Sequence, residues 1–231
     1  MKGQQPLAGR VALVTGAARG LGAAVAGRCA ASGAAVLVAD ADEAGASRVA
    51  DTIRERGGRA ESVGADITVA ADVAHAVDAA RELGPLRALV LAATTEARGA
   101  LVDCTDDEWK RVLDGDLKGP FLCLRAAVPA IRDAGGGSIV AVGSSIGLAP
   151  NRVQVANAAA AGALVNLCKQ VAIEHAPDNV RVNVVARSAV DRDSLAAVCD
   201  AVTFLLSDAA EHTSGAVIPV AGGLASPRPE K

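Results

Sequence analysis

Val11-Ala12-Leu13-Val14-Thr15-Gly16-Ala17-Ala18-Arg19-Gly20-Leu21-Gly22 is a short apolar run, a glycine-punctuated turn and the opening of an Ala-rich stretch. The apolar run predicts a strand buried on both faces, and the Ala-rich stretch predicts a helix over 20–32. Glycines between the two let the backbone approach a pyrophosphate closely, and the free N–H groups and positive dipole of the helix N-terminus favour its charge. The position of the turn, directly after the first strand, is what gives the glycine pattern its weight. Thr15, Gly16, Arg19, Gly20, Leu21 and Gly22 are therefore candidate contacts for a dinucleotide.

The next apolar run, 35–40, ends on Asp40, at the spacing where a carboxylate can accept hydrogen bonds from the adenosine ribose hydroxyls. A carboxylate there repels a 2′-phosphate, which favours NAD over NADP. Arg19 argues the other way, because a basic residue in the turn can pair with that phosphate.

Working outward, short β-branched runs alternate with longer amphipathic stretches along the whole chain. Strands are expected at 10–15, 35–40, 59–65, 87–92, 138–143, 180–186 and 216–220, and helices at 20–32, 42–56, 69–82, 105–133, 153–175 and 194–206. That rhythm predicts an α/β fold: a single doubly wound domain, with a seven-stranded, mainly parallel sheet and helices on both faces. Thr105 and Glu108 form a capping-box pattern at the start of the fourth helix, and Thr68 is expected to cap the third. Gly135-Gly136-Gly137 should end the fourth helix. The domain is expected to span 1–225, with a flexible tail over 226–231.

Composition narrows the function. The formal net charge of −3 offers no reservoir of positive charge for nucleic acid or an anionic membrane surface. Apolar runs are interrupted before they could cross a bilayer, so a cytoplasmic protein is expected. Five scattered cysteines and three histidines without paired spacing suggest neither a disulfide framework nor a metal site.

Thr15-Gly16-x-x-x-Gly20-x-Gly22 resembles the cofactor motif of the short-chain dehydrogenase/reductase family. The likeness runs nearly end to end, through Asp66-Ile67-Thr68, Leu117-Lys118-Gly119, Ile139 to Ser144, Val180-Arg181-Val182-Asn183, Thr213-Ser214-Gly215 and Gly222-Gly223-Leu224. It implies a Rossmann-type fold, NAD or NADP as cofactor, and adenine contacts from Asp66 and Ile67. It also implies assembly, as a homo-dimer or homo-tetramer, through the segments 105–133, 153–175 and 213–224.

Departures from the family pattern gather at the other end of the site. Asn-Asn-Ala-Gly after the fourth strand is here Leu91-Ala92-Ala93-Thr94, and the family's asparagine before Leu-Lys-Gly is Asp116. The family's serine matches Ser144, its tyrosine falls on Asn157 and its lysine on Ala161. The chain contains no tyrosine at all. Lys169, the only lysine on the helix expected there, lies ~18 Å along its axis from Asn157. Pro-Gly after the sixth strand is Arg187-Ser188, a threonine beyond it is Arg192, and the chain passes from Asp193 almost directly into the next helix without a substrate-covering excursion.

In the family the tyrosine gives or takes the proton as hydride moves, whereas an asparagine has none to transfer at neutral pH. The expectation drawn from these losses is a non-redox acid/base enzyme, carrying out a dehydration, cyclisation or isomerisation on a bulky or carrier-bound substrate. Asp116, Ser144 and Asn157 would be its catalytic residues, unless Asp116 merely bonds to backbone at a helix irregularity. Alternatives are a non-catalytic subunit in a hetero-oligomer with an active relative, and an atypical NAD(P)-dependent oxidoreductase in which Asp116 or water replaces the tyrosine.

Overall fold

The computed structural model describes residues 5–95, 97–150, 154–188 and 192–221, with the side chains of 192–194 excepted. Seven strands form one parallel sheet in the order β3-β2-β1-β4-β5-β6-β7. They are β1 Val11–Thr15, β2 Ala35–Asp40, β3 Arg59–Gly64, β4 Leu86–Leu91, β5 Gly137–Ser144, β6 Val180–Arg187 and β7 Val217–Val220. Helices α1 Gly20–Ala31, α2 Glu43–Glu55, α3 Ala70–Glu82, α4 Asp106–Leu113, α5 Gly119–Asp133, α6 Val155–Glu174 and α7 Arg192–Leu206 connect them.

Alternation along each strand builds two cores. Val11 and Leu13 of β1 face a layer formed by α3, α5 and α6, with Val77, Ile131 and Leu164 among its members. Ala12 and Val14 face the opposite layer, where Val25 of α1, Ile53 of α2 and Leu205 of α7 pack. Because both faces of the central sheet are covered, β1, β2 and β4 to β6 read as mainly apolar runs, which is why the sequence locates them to within one residue.

Two expectations need correction. The helix expected over 105–133 is two helices joined by a π-helical turn, Asp114–Lys118. Its start is as expected, with Thr105 and Glu108 forming the capping box. Its end is too, because Gly135 and Gly136 take positive φ values of 86° and 96°. Thr68 does not cap α3: its hydroxyl donates to the Asp66 carboxylate instead, and Val69 stands at the cap position. The expected tail, 226–231, and Gly222-Gly223-Leu224 lie outside the described residues. Among the described residues no helix is long and apolar enough to cross a membrane.

The last strand is tied in by side chains rather than by packing alone. Asn183, fully buried in β6, donates from Nδ2 to the Thr213 carbonyl (2.8 Å) and accepts from the Ala216 N–H at Oδ1 (3.0 Å). Arg181 donates to the carbonyls of Thr213 and Ser207. Asn183→Ala leaves the half-buried Ala216 N–H without its partner, while the Thr213 carbonyl keeps its bond from Arg181. It is expected to lower stability by about 1–3 kcal/mol in urea titrations with an unchanged m value.

Candidate functional site

In an open parallel sheet, ligands bind outside the C-terminal strand ends where the strand order reverses, here between β1 and β4. A cavity of about 610 Å³ lies there. It is lined by Gly16, Arg19, Gly20, Leu21 and Gly22 from the turn after β1, and by Asp40 and Ala41 after β2. Asp66 and Ile67 after β3, Ala92 to Thr94 after β4, and Arg187 complete it. Every cofactor residue expected from the sequence lines this cavity except Thr15. That residue is buried in β1 and donates its hydroxyl to the Val90 carbonyl across to β4 (3.3 Å), bracing the two strands that frame the cleft.

The turn fits a dinucleotide phosphate. Gly16 has φ of 65° and lies so close to Ala93 that any Cβ would strike the Ala93 backbone. Gly22 is equally tight against the Gly16 carbonyl, which presses α1 onto the turn. A Cβ on Gly20 would instead meet no protein atom within 4 Å, so this position opens on the cavity. No side chain caps α1, and no acidic residue stands in its first turn, so the positive end of the helix is not offset. Asp40 is held by the Ala18 N–H at Oδ2 (2.9 Å) and the Asp42 N–H at Oδ1 (3.0 Å). Each oxygen keeps a lone pair for a ribose hydroxyl.

A second cavity, about 470 Å³, adjoins the first and contains all three catalytic candidates, Asp116, Ser144 and Asn157. Asp116 comes from the π-helical turn, which brings its carboxylate to the loop after β4. Oδ1 accepts from the Thr95 N–H (2.6 Å), and Oδ2 accepts from Asn157 Nδ2 (3.2 Å). Burial is the main influence on this carboxyl and pushes its pKa up; hydrogen bonds from Thr95 and Asn157 oppose the shift.

Asn157 stitches the same loop. Nδ2 also donates to the Thr95 carbonyl (2.6 Å), and Oδ1 accepts from the Ala97 N–H (3.2 Å). Both amide hydrogens are therefore engaged, so Asn157 holds Asp116 and the loop in place and has no donor left for a substrate oxygen. Its expected place among the catalytic residues is corrected to a positioning one. Ser144, at the end of β5, accepts a long bond from the Ile146 N–H (3.4 Å) and keeps its hydroxyl hydrogen available.

Thr95, Arg98, Gln154 and Leu164 also line this cavity and were not singled out in the sequence. The signal that could have found the first two is position, since they follow the C-terminal end of β4. Lys169 is exposed on α6 and lines neither cavity. No cysteine lines either one, and the thiols of Cys29, Cys123 and Cys168 are pushed up to about 12 by burial. β6 ends at Arg187 and α7 begins at Arg192; the side chain of Arg192 and residues 189–191 lie outside the description.

A family model described as short chain dehydrogenase matches residues 10–202. The chain belongs to the short-chain dehydrogenase family. Among its relatives is cis-4-hydroxycyclohexanecarboxylate dehydrogenase of Sinomonas cyclohexanicum, 37% identical over 95% of this chain and 98% of that protein. A 3-oxoacyl-(acyl-carrier-protein) reductase of Salmonella typhimurium is 30% identical over 94% of this chain and 97% of its own length. Among solved structures, a short chain dehydrogenase from Mycobacterium smegmatis superposes with a TM-score of 0.91 at 32% identity, covering 96% of both chains.

These relatives overturn the expectation of a non-redox acid/base enzyme and that of a non-catalytic subunit. Dehydrogenases and reductases match this short-chain dehydrogenase over nearly its full length, and they point to redox chemistry. The physical reason is that a proton and a hydride are handled by different groups: losing the tyrosine and lysine removes a proton carrier, while the glycine turn and Asp40, at the end of the cleft that would hold the hydride carrier's pyrophosphate and ribose, remain.

Proposed function

We propose that this short-chain dehydrogenase interconverts a secondary alcohol and its ketone with NAD(H), and that the Asp116 carboxyl does the proton work for which the family uses a tyrosine. The observation that carries this reading is the adjacency of the two cavities. The glycine turn and Asp40 suit the pyrophosphate and ribose of the cofactor, and Asp116 stands in the neighbouring cavity with a raised pKa. The bound cofactor would supply or accept the hydride. Asp116 takes the hydroxyl proton when alcohol is oxidised and returns it when ketone is reduced, while the Ser144 hydroxyl donates to the substrate oxygen.

The hydroxycyclohexanecarboxylate dehydrogenases of Sinomonas cyclohexanicum make a hydroxylated ring carboxylate the first substrate to try. Incubation with NAD+ and cis-4-hydroxycyclohexanecarboxylate is expected to raise absorbance at the reduced nicotinamide band. If neither NAD(H) nor NADP(H) binds, the redox reading fails.

Asp40 sets the preference for NAD. Asp40→Ala removes the charge that repels a 2′-phosphate, and the ratio of NADPH to NADH dissociation constants is expected to fall by about tenfold. An unchanged ratio would remove Asp40 from cofactor selection. A homo-oligomer is also proposed, with exposed Trp109 of α4, Phe121 of α5 and Ile173 of α6 as apolar contact residues. Light scattering of the purified protein reads the mass directly.

A further inference from the structure

Among the described residues, Ala93, Thr94 and Arg187 line both the cofactor cavity and the substrate cavity. Arg187 is the one charged member of that set. It is the last residue of β6, in register with Ser144 of β5 and with Val220 of β7, so its backbone is fixed on the sheet edge that floors the site. With the pyrophosphate on the glycine turn and the adenosine ribose at Asp40, the other end of a dinucleotide would extend toward Ala93, Thr94 and Arg187. Any atom exchanged between cofactor and substrate would pass where the two cavities meet, a junction that Arg187 lines.

We propose that Arg187 is a charge-selective catalytic residue that disfavours the cationic, oxidised nicotinamide ring against the neutral, reduced one and stabilises negative charge on the substrate oxygen. The inference rests on the NAD(H)-dependent reading above and adds a direction to it: the site is built for carbonyl reduction. In that direction the cofactor, once bound, would supply hydride to the carbonyl carbon and be oxidised in doing so, and the C=O π pair would become a lone pair on the substrate oxygen, whose charge the Arg187 guanidinium would offset. The neutralising proton would come from the Asp116 carboxyl. The guanidinium keeps its own protons throughout, since arginine is not deprotonated in proteins. Its part is electrostatic, and in a cleft partly enclosed by protein one such charge a few ångströms away changes relative affinity by on the order of tenfold.

Calorimetric titration of the full chain with NADH, NAD+ and ADP-ribose tests this without turnover. The ratio of NAD+ to NADH dissociation constants is expected to fall about tenfold in Arg187→Gln and to be kept in Arg187→Lys, with ADP-ribose affinity unchanged in both. Unaltered ADP-ribose binding also shows that the variants are folded. An unchanged ratio in Arg187→Gln would overturn the inference and leave the redox reading standing. Equal weakening of all three ligands would overturn it as well, by assigning Arg187 to the pyrophosphate. Binding of ADP-ribose alone, with neither nicotinamide form, would overturn both readings together.

Discussion

Gly22→Ala is expected to abolish NAD(H) binding, weakening it by at least about a hundredfold, and to lower stability by about 1–3 kcal/mol. A Cβ at position 22 would collide with the carbonyl oxygen of Gly16, and behind it with the backbone of Ala17. Those are main-chain atoms of a turn already pinned against Ala93, so no flexible side chain can swing aside to make room. Relief requires α1 to withdraw from the turn, which moves its N-terminal N–H groups away from the phosphate position. Calorimetry with NADH reads the loss of binding, and urea titration reads the stability. Gly20→Ala is the contrast. There a Cβ meets open space, so packing is untouched, and only the positive φ of 56° and the incoming ligand resist the change. Near-normal affinity in Gly22→Ala would show that the cofactor does not use this turn.

Asp116→Asn is expected to lower turnover by about 10²–10⁴ while costing about 1 kcal/mol of stability. The amide oxygen can still accept from the Thr95 N–H. Its NH₂ then faces Asn157 Nδ2, so the bond between the two side chains is lost and the rest of the network around Asn157 is kept. A proton carrier is removed and the scaffold is not. In the parent protein kcat/KM for alcohol oxidation should rise with pH through the raised Asp116 pKa, because oxidation needs the carboxylate. Reduction needs the acid, so its rate should fall over the same range.

Stability follows the same group. The folded state holds the Asp116 proton more tightly than the unfolded chain. Its contribution therefore declines as pH rises from the unfolded value of about 3.9 through the raised folded value, and is level above that. The variant should lack both dependences. Full turnover in Asp116→Asn would hand the proton step to water.

The sheet was legible because β1, β2 and β4 to β6 are buried on both faces, and their apolar runs leave few alternatives. The glycine turn was legible for a related reason, since close backbone approach admits only glycine at Gly16 and Gly22. The break between α4 and α5 was legible only in part. Pro120 has no N–H to return to the Asp116 carbonyl four residues back and Gly115 weakens a helix, so a local signal for the break was present and was passed over; the Thr95 N–H bonded to Asp116 and the close approach of Gly115 to the Thr95 side chain add the tertiary part.

Asn157 lines the second cavity, but its work was hidden in the sequence. Its partners Thr95, Ala97 and Asp116 come from a different loop and a different helix, dozens of residues away, and no spacing rule joins them. Arg187 stood out in the sequence only as a departure from the family pattern. Its position between two cavities needed the strands beside it.

The cleft at the ends of β1 and β4 is expected to bind a nicotinamide dinucleotide beside a working proton carrier, and direct titration of the purified protein with NADH and NADPH tests this most plainly. NADH is expected to bind at one site per chain with a dissociation constant of about 10 μM or tighter, and NADPH more weakly because of Asp40. No heat of binding from either ligand at about 1 mM would show that the cleft does not serve a nicotinamide cofactor.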